Sequence, residues 1–229
     1  MSTATGYVAR LMADDTTQWT DYGELRIAYD DRVLEPRPWT TAQAHWAADL
    51  MRSSSEGAVL ELCAGVGHIG LLAVAGSARP LVMVDLDGTA CGYAHRNAAE
   101  ARPDGGWEVR QGRVDEVCAP HERFVGIIAD PPWVPSDTTG RFPEDPLTAI
   151  DGGPDGMDIA WACVDVAARH LDDDGWLLLQ LGTSAQADAV AERLSESPEL
   201  ALKVGEVREY GDRGVLVEVR RSGEVPAQP

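Results

Sequence analysis

Short apolar runs alternate with amphipathic stretches along most of the chain. Ala58 to Leu62, Leu81 to Asp85, Trp107 to Arg110, Phe124 to Ala129 and Trp176 to Leu181 are bounded by turn residues and predict core strands. Helical spacing fills the intervals. Ala44, Ala47, Ala48 and Met51 share one face of a helix that Thr40 can cap and that runs to about Arg52. A second helix begins at about His68, and a third covers Gly88 to Ala101. Met157, Ala160, Trp161, Val164 and Ala168 mark a fourth over Met157 to Leu171, and Ala185 to Leu194 a fifth. Ahead of these, Glu24 to Ala28 and Arg32 to Glu35 predict a hairpin around Tyr29-Asp30-Asp31. Behind them, Leu202 to Tyr210 and Val215 to Arg220 predict a closing antiparallel pair around Gly211 and Gly214. The alternation implies an α/β fold with a mostly parallel sheet covered on both faces. No linker interrupts it, so one domain is expected over 21–221, with a mobile arm over 1–20 (one helical turn around Tyr7 to Met12) and a flexible tail over 222–229.

Composition narrows the class. With 44% hydrophobic and 25% charged residues, the 229-residue chain has ample material for a core. No apolar run is long enough to span a bilayer, and the N-terminus lacks a signal-peptide pattern. Cys63, Cys91, Cys118 and Cys163 are dispersed, which predicts free thiols and a cytoplasmic protein. The five histidines show no ligand spacing, so no metal is predicted. Thirty-eight acidic against 19 basic residues give a net charge of −19. That balance opposes non-specific nucleic-acid binding, suits a cationic or neutral partner, and serves solubility in any case.

Two turns carry the candidate chemistry. The first strand runs into Glu61-Leu62-Cys63-Ala64-Gly65-Val66-Gly67-His68-Ile69-Gly70, which reads literally as GxGxxG from Gly65. Asp85 ends the next strand, where an acid can meet the ribose of a bound nucleotide. Bare backbone at the turn admits a ligand closely. These features favour an adenosine-containing cofactor and leave both NAD(P) and S-adenosyl-L-methionine open. Glu61 tilts the balance, because a carboxylate there repels a pyrophosphate and suits the ammonium of a methionyl group.

The second turn is Ala129-Asp130-Pro131-Pro132-Trp133, at the end of the fourth strand. The prolines fix the backbone and remove two donors. An Asp oxygen and a proline carbonyl can accept both hydrogens of one NH2 group, holding its lone pair toward an electrophilic methyl. The Trp133 face can stack on a planar acceptor or lie against a cation. Asp stabilises developing positive charge better than an amide oxygen and can receive a proton, which keeps amine and guanidine acceptors open beside an amide.

Together these residues resemble the class I S-adenosylmethionine-dependent methyltransferases of the PrmC/HemK type, the release-factor glutamine methyltransferases. The likeness extends upstream over Val33-Leu34-Glu35-Pro36-Arg37-Pro38-Trp39-Thr40 and downstream over Ala149-Ile150-Asp151-Gly152-Gly153-Pro154-Asp155-Gly156, covering about Tyr22 to Arg221. It implies a seven-stranded, Rossmann-like methyltransferase sheet and S-adenosyl-L-methionine as cofactor. Glu61, Cys63, Gly65, Gly67, Asp85, Arg113 and Thr40 form the expected cofactor set. Asp130, Pro131, Pro132 and Trp133 form the expected catalytic set, acting on a protein or small-molecule nitrogen.

Departures from the family pattern are specific. The family's turn is Asn-Pro-Pro-Tyr, and Asp130 with Trp133 resembles enzymes that methylate exocyclic amino groups of bases. Trp39 replaces an acidic residue, and Arg113 stands where the family has an acidic contact to adenine, with Asp115 two residues on. The family's preceding helical substrate-recognition domain has no counterpart in the about 20 residues before the hairpin. Three rival readings follow: a nucleic-acid amino-methyltransferase, an NAD(P)-binding enzyme, and a non-catalytic methyltransferase-like partner subunit.

Around these turns, Val134 to Gly156 is a long connection expected to cover the acceptor, turning at Gly152, Gly153 and Gly156. His68 can line the cofactor pocket, and Arg37 can reach a cofactor carboxylate. Asp172-Asp173-Asp174 reads as a solvated turn. Trp46, Trp107, Trp161 and Trp176 are expected in the core.

Overall fold

The computed structural model describes residues 16–223. The predicted turn at Tyr7 to Met12 and most of the tail lie outside the described residues. Two strands, β1 (Gln18–Tyr22) and β2 (Leu25–Tyr29), form a separate hairpin. The main sheet has seven strands: β3 (Val59–Leu62), β4 (Leu81–Asp85), β5 (Trp107–Gln111), β6 (Phe124–Ala129), β7 (Leu171–Leu181), β8 (Leu202–Glu209) and β9 (Val215–Arg221). Their order is β5-β4-β3-β6-β7-β9-β8. The first five are parallel, while β9 pairs antiparallel with both β7 and β8, as expected from the sequence.

Successive strand residues point to opposite faces, and each face has its own core. Val59, Met83, Ile128 and Leu178 pack beneath α1 (Thr41–Ser53), α2 (His68–Val74), α3 (Gly88–Ala101) and the hairpin. Leu60, Val84, Ile127 and Leu177 pack against α4 (Asp158–His170) and α5 (Ser184–Glu196). Buried on both sides, these strands read as near-continuous apolar runs. The chain steps outward from β3 to β4 and β5, then returns to place β6 on the other flank of β3. The gap between the carboxyl ends of β3 and β6 is therefore a topological switch point, where open α/β sheets bind ligands. Leu62 pairs with Ala129, so the two candidate turns leave the sheet level and side by side.

Three local expectations are corrected. The hairpin pairs Gln18–Tyr22 with Leu25–Tyr29 around Gly23, whose φ of 58° supplies the reversal, so Gln18 to Thr20 belong to a strand. Arg32 to Glu35 form no strand. Asp30 turns inward instead, accepting from the Arg32 backbone at 3.0 Å and the Tyr93 hydroxyl at 2.8 Å. This side-chain turn ends β2 where alternation alone looks continuous. Asn97 then ties the hairpin to the glycine turn. It accepts from the Ala28 N–H at 2.8 Å and donates to the Ala28 and Val66 carbonyls.

Thr40 precedes α1 without a side-chain cap. Its hydroxyl donates to the Arg37 carbonyl at 2.8 Å and lies 2.7 Å from the Tyr22 hydroxyl, because the chain enters the helix through a tight turn over Pro38–Thr40. Trp46 and Trp176 are buried as expected, but Trp107 and Trp161 are only half-buried. The Trp107 indole donates to the Arg102 carbonyl, and Trp161 lies beneath the Arg193 guanidinium. The acidic run is not a separate turn ahead of the strand: β7 already begins at Leu171, opposite Phe124, and its register shifts before Trp176, opposite Gly126, so Asp173 and Asp174 stand exposed in an irregular stretch of the strand itself.

Candidate active site

The carboxyl ends of β3, β4 and β6 open on a cavity of about 640 Å³. Ligand sites commonly span about 300–1,000 Å³. Cys63 to Val66 form its floor. Asp85 to Asp87 and Gly112 to Asp115 form one wall, and Leu34, Arg37 and Thr40 another. A smaller cavity of about 80 Å³ adjoins it, lined by Trp39, Pro131, Trp133, Ile150 and Gln180. Asp130 borders both, as do Leu34, Arg37, Thr40 and Ala149.

Asp85 organises the larger cavity. Its carboxylate accepts from the Gly65 N–H at 2.7 Å and the Asp87 N–H at 2.8 Å, joining the glycine turn to the end of β4. A carboxylate has further lone pairs, so two bonds leave capacity for ligand hydroxyls. Burial raises its pKa against these two backbone bonds. Gly65 has φ 54°, and a Cβ built there would meet no protein atom within 4 Å, so the turn leaves bare backbone beside open space. Such a turn has room for a ligand to lie directly against the backbone.

Two members of the expected cofactor set serve the turn from behind. Glu61 is 2% exposed and does not border the cavity. Its Oε1 accepts from the Gly70 N–H at 2.9 Å, while Oε2 is buried without a partner. Burial pushes this carboxyl up to about 8. The expected direct contact with an ammonium is therefore corrected to a support beneath α2, because the strand pleat aims Glu61 at that helix. Gly67 is also buried away from the cavity. At φ 80° it precedes α2, and a Cβ would lie 2.8 Å from the Met83 sulfur.

The other members do reach the cavity. Cys63 borders it at φ 55°, a strained backbone for a non-glycine residue. Its thiol meets that of Cys163, which with burial pushes its pKa well up, so it is a protonated packing group. Thr40 borders both cavities. Arg113 lies on the rim, folded back onto Asp115 at 3.1 Å and Glu116 at 3.5 Å. That pairing spends its charge outside the cavity, and Asp115 borders the cavity too. His68 also borders it; burial lowers its pKa to about 3, leaving a neutral ring packed edge-on against Tyr22.

At the second turn, Asp130 has no side-chain hydrogen bond among the described residues, and burial alone pushes its carboxyl up to about 7. Trp133 packs its ring against Gly182, where any Cβ would collide with the indole. Gln186 holds this turn. Its Nε2 donates to the Trp133 carbonyl at 3.0 Å and the Asp155 carbonyl at 3.3 Å, while its Oε1 accepts from Gly182 at 2.9 Å and Thr183 at 3.2 Å. Gln43 supports the same turn from below, donating to the Ala129 and Leu178 carbonyls at 3.0 Å each. The segment after Trp133 folds back on it. Val134 bridges Asp151, and Gly152 packs where a Cβ would meet the Pro132 carbonyl at 2.6 Å. Pro146, Thr148 and Ala149 from this connection wall the larger cavity, and Arg37 ties it down through Asp145 at 2.5 Å.

Several of these residues escape sequence reasoning. Gln43 and Gln186 look like ordinary helix residues; the Thr183-x-x-Gln186 spacing signals a capping box but not the bonds to Trp133 and Asp155. Asp158 and Ile159, at the start of α4, border the cavity through packing that no local pattern records. Among the described residues no group of His, Cys, Asp or Glu is placed to hold a metal, and no helix is long and apolar enough to cross a membrane.

Comparison with known proteins agrees with this arrangement. No protein-family model matches the chain. A release factor glutamine methyltransferase of Deinococcus radiodurans is 32% identical over 178 residues, covering 76% of this chain and 63% of that protein. A ribosomal protein uL3 glutamine methyltransferase of Bordetella pertussis is 30% identical over 167 residues, covering 69% and 55%. The human MTRF1L release factor glutamine methyltransferase is 29% identical, covering 90% and 66%. The chain thus spans about three fifths of the length of the curated relatives it matches. Among solved structures, a ribosomal protein L11 methylase from Lactobacillus delbrueckii subsp. bulgaricus superposes with a TM-score of 0.60 at 15% identity, covering 84% of this chain and 83% of that one. The catalytic domain of hMettl16 gives 0.66 at 14% identity, covering 95% and 80%. These structural likenesses establish the fold. With two ligand-facing turns meeting at one switch point and relatives matched across most of its length, the chain belongs to the class I methyltransferases of the PrmC/HemK type.

Proposed function

We propose that the chain is an S-adenosyl-L-methionine-dependent N-methyltransferase acting on an amide, amine or guanidine nitrogen of a protein or small molecule. One observation carries the reading. Asp130 stands at the junction of a cavity floored by Gly65 and walled by Asp85, and a second, smaller cavity walled by Trp133. One side fits the cofactor and the other the acceptor, with the acid where the two would meet. The relatives' names, which specify glutamine in a release factor or in uL3, support a protein acceptor. Four free thiols fit a reducing compartment such as the cytoplasm.

The residues present fit the cofactor. Asp85 accepts from ribose hydroxyls, and Gly65 lets the ligand lie against bare backbone. When bound, the cofactor supplies an electrophilic methyl on a sulfonium. The protein's part is orientation and exclusion of water. Asp130 accepts a hydrogen from the nucleophilic nitrogen, Pro131 and Pro132 fix the carbonyls beside it, and Trp133 walls the slot. Glu61 and Gly67 keep the turn in shape.

Calorimetry with S-adenosylhomocysteine and, separately, NADH tests the reading. Binding of the first alone is expected. Binding of NADH alone would establish the NAD(P) reading, and binding of neither would point to a non-catalytic partner subunit.

A further inference from the structure

The small cavity has a second polar side chain besides those of the catalytic turn. Gln180, near the end of β7, borders it together with Asp130 and is 5% exposed. Its Nε2 donates to the Leu181 carbonyl at 2.9 Å and the Arg213 carbonyl at 3.2 Å. Two carbonyl partners settle which end of the amide is nitrogen. Gly214 packs against that end, where a Cβ would lie 2.4 Å from Nε2. Oε1 accepts no hydrogen bond among the described residues and, unlike the Gln43 Oε1, is not sealed from solvent. Strand register places Gln180 beside Asp130. Ile128 pairs with Leu178, and both pack on the α1 face, while Ala129 pairs with Leu179. One pair further on, Asp130 and Gln180 stand level at neighbouring strand ends and on that same face, their backbones about 4.8 Å apart. Thr40, which also brings a hydroxyl to the cavity, is spent on the Arg37 carbonyl and the Tyr22 hydroxyl.

We propose that Gln180 is a further specificity-determining residue of the acceptor site, its Oε1 and an Asp130 oxygen each accepting one hydrogen of the acceptor's amide NH2. The inference rests on the methyltransferase reading above, with an amide as acceptor, and deepens it. Two acceptors on one planar NH2, each about 2.9 Å from the nitrogen, stand about 5 Å apart, which matches the spacing of neighbouring strands. The cavity of about 80 Å³ admits a carboxamide at the end of a slender side chain. Holding both hydrogens fixes the amide plane, and with it the nitrogen electron pair that attacks the methyl. That pair forms the new N–C bond as the methyl–sulfur bond breaks, and the electrons of the broken bond stay on sulfur. Asp130 takes one proton from the nitrogen and passes it to solvent. The product keeps one N–H and satisfies one of the two acceptors, which disfavours a second transfer. A carboxylate in the same slot sets oxygen lone pairs against Oε1 and Asp130, and a tertiary amide leaves both without a donor. Gln180 does not flip to suit such ligands, because flipping would set its oxygen against the Leu181 and Arg213 carbonyls.

The test titrates the S-adenosylhomocysteine-saturated protein with N-acetylglutamine methylamide, its side-chain N,N-dimethylamide and the corresponding glutamate derivative, followed by nuclear magnetic resonance. The primary amide is expected to bind about tenfold more tightly than either of the others. Gln180→Met and Gln180→Glu both remove the bonds to the Leu181 and Arg213 carbonyls, but only the first removes the acceptor oxygen. Gln180→Met should therefore weaken binding of the primary amide about fivefold to tenfold, and Gln180→Glu less than about twofold. Gln180 does not border the larger cavity, so unchanged S-adenosylhomocysteine affinity shows that each variant is folded. Equal losses in the two variants would make Gln180 a structural residue only and overturn the inference. A Gln180→Met variant that binds the amide like the parent also overturns it, because a proline carbonyl would then take the second hydrogen. So does a parent protein that binds S-adenosylhomocysteine but not the primary amide, or does not prefer it to the dimethylamide; where neither variant folds, this comparison on the parent decides. Absence of S-adenosylhomocysteine binding to the parent instead defeats the methyltransferase reading on which the inference rests.

Discussion

Replacing Glu61 with glutamine should make the protein's stability less sensitive to pH. Glu61 is 2% exposed, one of its oxygens has no partner, and its carboxyl is held at about 8 against an ordinary value of 4.5. Desolvation is the main cause, resisted by the bond from Gly70 and reinforced by Asp85 and Asp130. The folded state therefore keeps a proton that the unfolded chain releases at a lower pH. For a carboxyl raised in this way, the contribution to stability is complete below pH 4.5 and is lost as pH rises to about 8. At about 1.4 kcal/mol per pH unit, the loss between about pH 5 and pH 8 approaches 4 kcal/mol. That is a large share of the roughly 5–15 kcal/mol that holds a domain folded. In the Glu61→Gln variant the amide cannot ionise, but it preserves the side chain's shape and an acceptor for Gly70. Urea unfolding of both proteins without cofactor, at several pH values, measures the difference. Asp85 and Asp130 titrate in both and largely cancel. The variant is expected to gain on the parent by about 1 kcal/mol or more per pH unit across this range. Parallel stability profiles would refute the argument, because they would mean that Glu61 ionises in the folded protein as freely as in water.

Asp85→Ala should weaken S-adenosylhomocysteine binding by about tenfold to a hundredfold, as the ribose acceptor and the anchor of Gly65 are lost together; calorimetry giving an unchanged Kd would remove Asp85 from the binding role. Trp133→Ala should lower turnover while leaving S-adenosylhomocysteine affinity within about threefold, because Trp133 borders only the smaller cavity; loss of both would place it in the shared scaffold. Gln186→Ala should cost about 2–3 kcal/mol in denaturant unfolding, since it removes half of a capping box and the bonds to the Trp133 and Asp155 carbonyls; a cost under about 0.5 kcal/mol would show that the turn stands without it.

The centre of the main sheet is legible in the sequence because β3, β4, β6 and the buried part of β7 each carry an apolar run, and turn residues punctuate those runs. Strand boundaries from β3 to β6 fall within a residue or two of expectation for that reason. Alternation alone misplaces the hairpin, because Asp30 ends β2 through contacts with Arg32 and with Tyr93, which is distant in sequence. Trp107 and Trp161 lie shallower than their type suggests, because residue type sets a tendency to be buried while neighbouring elements decide how much cover is present.

For the site, the sequence by itself determined which residues are chemically able to bind and react: the glycine turn, Asp85, and the Asp130-Pro131-Pro132-Trp133 turn are local patterns with local physical causes. Only the tertiary structure decided which of them border a cavity. The crossing from β5 back to β6 brings the two turns together, and the strand pleat sends Glu61 under α2 while leaving Asp130 at the junction of the cavities. Gln43 and Gln186, anonymous in the chain, become the supports of the Asp130–Trp133 turn once α1 and α5 dock on the sheet. Residue chemistry is written position by position, whereas exposure, pKa and pairing depend on what packing brings from elsewhere in the chain.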